Sequence, residues 1–90
     1  MAWNVEVLEE ARRQIDKLDF QMGKRIVRFL HERVAKLDDP RSIGEALKGE
    51  RFGELRKYRV GDYRIMARIE DKILRVLVVK VGHRSEIYER

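Results

Sequence analysis

Six residues in the C-terminal half of the chain form a set that can act on a phosphodiester: Lys57, Arg59, Tyr63, Arg64, Arg84 and Tyr88. RNA can be cut without a metal when a ribose 2′-hydroxyl attacks its own phosphate. That step needs a proton acceptor near the 2′-oxygen, positive charge on the phosphorane, and proton donation to the leaving 5′-oxygen. Arginine suits the second role because its planar fork matches phosphate oxygens. A lysine among arginines has its neutral form favoured by like charges, which makes Lys57 a candidate base. Arg84, a poor acid, would steady the leaving oxygen more than protonate it. Tyr88 offers a ring to stack on a splayed base and a hydroxyl as a second donor. DNA lacks the nucleophile, so this chemistry is confined to RNA. The plain alternative is a set of solvated strand cations and a packed terminal tyrosine that bind without catalysing.

Other chemistries find little support. His31 and His83 are the only histidines, far apart and without the spacing of metal ligands. Ser42 and Ser85 are the only serines, and neither lies in a nucleophile elbow. Gly49 and Gly53 are too few for a phosphate-cradling loop and precede a strand rather than a helix. With no cysteine there is neither a disulfide nor a thiolate metal site. The N-terminus carries acid where a signal peptide needs a basic region, and no apolar run approaches the roughly 20 residues that span a bilayer. The expectation is a soluble cytoplasmic domain with no cofactor and no metal.

Charge is unevenly placed. Residues 1–47 hold nine Lys/Arg and nine Asp/Glu, whereas residues 48–90 hold twelve and seven, so the whole net charge of +5 lies in the second half. Such a one-sided field attracts polyanions, nucleic acid first.

The elements that must position these side chains can be read from periodicity. Trp3, Val5 and Val7 alternate with polar residues, as in a half-buried strand. Leu8, Ala11, Ile15 and Leu18 then share one helical face. Asp19 is an N-cap candidate for a second helix from Phe20, whose core stripe runs through Met22 or Ile26, then Val27, Leu30, Val34 and Leu37. Pro40 closes this hairpin, and residues 42–47 are expected to form a helical turn. Strands follow at 54–60, 63–69 and 73–81, with Gly82 ending the last. The prediction is one α+β domain over residues 1–90, with an N-terminal strand, a helical hairpin and a three-strand antiparallel meander. The helices should cover Tyr63, Ile65, Ala67 and Ile69. Arg64, Met66, Arg68, Lys57 and Arg59 should lie on the open face.

Three stretches together resemble the RelE/ParE superfamily of small bacterial toxins, on the RelE side: ALKG at 46–49, LRKYRVGDYRI at 55–65 and VGHRSEIY at 81–88. The resemblance covers nearly the whole chain. It implies a ribosome-dependent endoribonuclease that cuts messenger RNA without metal, inhibits translation, and is held inactive by a RelB-like antitoxin. By position, it implies that Arg64 stabilises the phosphate, Arg84 lies near the leaving group and Tyr88 stacks on or orients the substrate. Lys57 falls on a basic position of the preceding strand. RNA contacts are expected from Arg56, Arg59, Tyr63, Arg68 and His83. Some members carry a second lysine where this chain has Leu55, which leaves the proton acceptor open. Glu50, Glu54 and His83 are the further candidates. Two alternatives stand beside this reading: a ParE-like gyrase inhibitor of the same fold, and a non-catalytic or degenerate RNA-binding toxin.

Overall fold

The computed structural model describes residues 3–47 and 55–86. The chain opens with strand β1, Asn4–Val7, followed by helices α1, Glu9–Asp16, and α2, Phe20–Phe29. The Asp19 carboxylate accepts the backbone N–H groups of Gln21 and Met22 at 3.1 and 3.3 Å, so the predicted cap starts α2. Beyond Phe29 the helix widens into a π turn, Leu30–Val34, in which the Ala35 N–H reaches the Leu30 carbonyl at 3.0 Å. The sequence pattern gave no sign of this turn.

Residues 42–47 do not form the expected helical turn. A 3-10 turn, Pro40–Ser42, leads instead into a two-residue strand β2, Glu45–Ala46. Gly44, with φ +80°, makes the bend between them. A Cβ there would lie 2.5 Å from the Lys57 carbonyl oxygen, so no other residue fits without a shift. Then come β3, Leu55–Val60, β4, Tyr63–Glu70, and β5, Arg75–His83. Gly61, at φ +59°, opens the two-residue turn from β3 to β4.

The sheet has five strands in the order β1-β5-β4-β3-β2, with β1 parallel to β5 and the remaining pairs antiparallel. The α+β class and the meander agree with the sequence reading, which left the place of β1 unspecified and missed β2. Helix residues Ile26, Leu30 and Val34 are buried against Tyr58, Ile65, Ala67, Ile69, Val76 and Val78. Three apolar residues read as core are not: Leu8 and Val27 are 43% and 42% exposed, and Ile73 is 58% exposed in a 3-10 turn ahead of β5. Met66, expected on the open face, is 6% exposed. Its cross-strand neighbours Lys57 and Lys80 flank it there, and their long aliphatic stems are of the kind that cover an apolar side chain.

Strand β5 contains the irregularity that matters most. Met66 pairs with Lys80 but Ala67 pairs with Val78, so Val79 is an extra residue, a β-bulge. In a strict alternation running through Val79, Lys80 would share a face with Val76 and Val78, which are both fully buried. The bulge reverses the alternation, turning Lys80 outward and Val81 inward. Gly82 does not end the strand, which runs on to His83.

Candidate active site

Among the described residues, strand β2 covers β3 only opposite Arg56 and Lys57, and none pairs with that edge of β3 from Tyr58 to Val60. A cleft of about 410 Å³ opens at this edge, and Lys57, Arg59 and Arg64 line it together with Arg33 and Glu45. Register explains the convergence. Arg59 faces Arg64 directly across the β3–β4 pair, and Lys57 follows two residues along on the same face. Like charges opposite each other are unfavourable in a sheet, and their repulsion is relieved when an anion binds between them. Gly82, which pairs with Arg64 on the other side, adds no side chain to crowd it.

Two of these side chains are held in place. Nη1 of Arg64 donates to the Gly61 and Tyr63 carbonyls, both at 3.1 Å, which anchors one nitrogen of the fork to the β3–β4 turn. The Lys57 ammonium lies 3.2 Å from a Glu45 carboxylate oxygen; the lysine side chain is 17% exposed and the glutamate 74%. Glu45 was missed in the sequence because it stands in a segment read as a helical turn. Only its pairing opposite Lys57 brings it to the cleft.

The other predicted residues separate. Arg56 is half-buried, and its guanidinium donates to the carbonyls of Arg41, Ile43 and Gly44 at 2.6, 3.0 and 3.1 Å. It holds the loop that delivers Glu45, on the face of β3 opposite Lys57 and Arg59. Tyr63 and His83 face each other across β4 and β5, rings edge to face at 5.5 Å, on the side of the sheet that carries the helices. They do not share a face with Arg64. The His83 ring also bonds Ser85 at 2.8 Å. Arg68 lies on the open face but further along β4, opposite Leu55 and Leu77. Arg84 is exposed just beyond β5, its N–H donating to the Asp62 carbonyl at 2.8 Å beside the turn that anchors Arg64. The bulge at Val79 sets its phase, since a strict alternation running through Val79 would put Arg84 in phase with Val76 and Val78. Tyr88 lies outside the described residues, as do Glu50 and Glu54.

The floor of the cleft is rigid. Tyr58 is 1% exposed, its hydroxyl donates to the Pro40 carbonyl at 2.6 Å, and its ring meets Phe29 edge to face at 6.0 Å. Burial pushes its phenol up to about 12, against the partial pull of Arg56 and Arg41. The ring therefore stays neutral and packed at physiological pH.

Comparison with known proteins fits this fold. The family described as the ParE toxin of type II toxin–antitoxin systems matches residues 5–88. The chain belongs to that family. It is 31% identical to Toxin RelG of Mycobacterium tuberculosis over all 90 residues of both proteins. The toxin–antitoxin complex RelBE2 from Mycobacterium tuberculosis superposes with a TM-score of 0.84 at 28% identity, covering 96% of this chain and 95% of the other. A mutant of the E. coli toxin RelE in the free state superposes at 0.77 with 25% identity, covering 98% and 92%. A toxin of a type II toxin–antitoxin system, of RelE-like fold, is thus the plain description of this protein. No helix among the described residues is long and apolar enough to cross a membrane.

Proposed function

We propose that this toxin is an endoribonuclease that cuts messenger RNA on the ribosome, in the cytoplasm, under the control of a RelB-like antitoxin. The observation that supports this reading most is the meeting of Lys57, Arg59 and Arg64 with Glu45 in one cleft at the edge of β3. The RelE resemblance supplies the ribosome and the antitoxin; the cleft supplies a means of cutting.

In this mechanism the scissile phosphate sits between Arg59 and Arg64, whose forks take the charge that grows on its non-bridging oxygens. The Glu45 carboxylate accepts the 2′-hydroxyl proton, and Lys57 holds that carboxylate while adding positive charge beside the phosphorane. The new 2′-O–P bond forms as the P–O5′ bond breaks, leaving a 2′,3′-cyclic phosphate on one fragment and a 5′-hydroxyl on the other. Arg84, beside the same turn, steadies the departing oxygen. Tyr88 is the candidate for orienting the base and donating the final proton, as the resemblance implies.

Primer-extension mapping in a translation extract, with and without ribosomes, tests the reading. Arg64→Ala should reduce cleavage about 10²–10³-fold, the usual cost of one donor to a transition-state oxyanion, while antitoxin binding survives. Arg64→Lys should also be impaired, because a point charge does not reproduce the fork. The match to the ParE family favours one second reading, inhibition of gyrase. Arrested growth with intact transcripts and damaged DNA would establish that one instead.

A further inference from the structure

The cleft does not end at Arg33. A second groove of about 430 Å³ continues along α2, lined by Arg25, Arg28, Glu32, Val60 and Gly61 and sharing Phe29, Arg33 and Arg59 with the first. Arg25 and Arg28 stand one turn apart on α2. The π turn, with five residues to its hydrogen-bonded loop instead of four, brings Arg33 round to the same side. The Arg25 guanidinium rests over the β3–β4 turn, where a Cβ on Gly61 would lie 3.3 Å from its Nη1.

These arginines lack acceptors, as Arg12, Arg68 and Arg84 also do among the described residues, and what sets them apart is that they share one groove. Arg13, Arg41 and Arg75 pair with carboxylates, and Arg56 and Arg64 donate to carbonyls. Among the described residues, Arg25, Arg28, Arg33 and Arg59 have neither. Four unpaired guanidiniums around one continuous groove repel one another, and such an arrangement favours an anion with several charges in a row. Side chains one helical turn apart stand about 5–6 Å from each other at Cβ, close to the step between neighbouring phosphates of a nucleic-acid strand.

We propose that this groove is a backbone track for the RNA strand entering the cleft, with Arg25, Arg28 and Arg33 on successive phosphates upstream or downstream of the cut. The inference rests on the ribonuclease reading. RNA is favoured over an acidic protein segment because a protein partner needs apolar anchors. The groove's own apolar residues are withdrawn from a partner, Val60 being 5% exposed and Phe29 half-buried against Tyr58, and the exposed Phe20 and Val27 lie outside it.

The test uses a fluorescent 2′-O-methyl RNA decamer, which lacks a free nucleophile, and reads anisotropy across a salt series. Neutralising the groove with Arg28→Gln and Arg33→Gln should weaken binding at least tenfold at low salt. It should also flatten the slope of log K against log salt by about 1.4, at about 0.7 per phosphate contact on a single strand. A control with the same loss of charge on α1, Arg12→Gln and Lys17→Gln, should leave the slope unchanged. Equal effects of the two pairs, or no effect of the groove pair, would overturn the track. So would capture of an acidic polypeptide such as polyglutamate in preference to the RNA. Failure of the two readings can be told apart. Wild-type protein that grips the decamer through Arg28 and Arg33 yet cuts no transcript keeps the track and loses the nuclease. A nuclease whose grip ignores those arginines does the reverse.

Discussion

Glu45 and Tyr58 show how differently two residues of one cleft can contribute. Glu45 is exposed and reaches the reaction only through its carboxylate, so Glu45→Gln should leave thermal stability within about 0.5 kcal/mol. Its cleavage rate should fall about 10²–10⁴-fold, the range for losing a general base, in a single-turnover assay. Tyr58 never meets substrate in this scheme. Tyr58→Phe leaves the buried Pro40 carbonyl without a donor and should cost about 1–3 kcal/mol in chemical denaturation. The raised phenol also has a pH signature. Its neutral form is favoured by folding, so its share of stability is complete below the ordinary value of 10. That share is lost as pH rises from there through about 12. The wild-type protein should therefore lose stability over that alkaline window, and Tyr58→Phe should lose less of it. At this scale the sequence was informative about Lys57, Arg59 and Arg64, because strand alternation alone puts them on one face. It was silent about Glu45 and about the carbonyls that Arg56 holds, because both depend on a loop whose path is set by hydrogen bonds between residues 12 to 15 positions apart.

Among the elements, β5 repays attention for what one inserted residue does. Periodicity identified a strand there and gave its apolar run, but a bulge leaves no mark in a stretch that is apolar on both faces. The contiguous valines at 78 and 79, followed by Lys80, are the one hint, since a strict alternation would send that lysine into the core. Deleting Val79 makes Val78 and Lys80 neighbours opposite Ala67 and Met66, so the ladder becomes regular and the lysine stays outward. The cooperative melting transition should therefore survive the deletion, and Val79→Ala should shift it by only a few degrees. The loop before β2 has a comparable pivot in Gly44. Gly44→Ala meets both a positive φ and a 2.5 Å approach to the Lys57 carbonyl, so it should destabilise the fold by about 1–3 kcal/mol. Cleavage should fall further than stability does, because that displacement moves Glu45 away from Lys57; paired denaturation and rate measurements check the difference.

For the molecule as a whole, the two ends of the sheet are organised by opposite electrostatic logic. At the end away from the cleft, Arg75 bonds both Glu70 and Glu6, and Arg41 bonds Asp71 at 2.6 Å. Hydrogen bonds from these arginines hold the Glu70 and Asp71 carboxyls below their ordinary values. A depressed carboxyl stabilises the fold above its unfolded value and ceases to do so as pH falls through the folded one. Stability should therefore decline through the acidic range in a pH-resolved melt, and Arg75→Met should flatten that decline. At the other end, arginines outnumber the acids beside them, Glu32 and Glu45, and a charge count by halves anticipated the excess though not its place. The helix-hairpin arginines lie in the half whose net charge is zero. Only folding brings them beside the cations of β3 and β4.

One small contact bears on how the protein behaves in concentrated solution. Beyond Val78 the chain at β1 has turned away into α1, so among the described residues no strand pairs with the outer rim of β5 there, and the Gln14 carboxamide accepts the Val81 N–H at 2.7 Å. That single amide oxygen stands where another chain's backbone could otherwise dock, so Gln14 works as a guard against edge-to-edge stacking. Replacing it with leucine would leave an inviting seam, and light scattering on storage should reveal growing assemblies that the parent protein does not form.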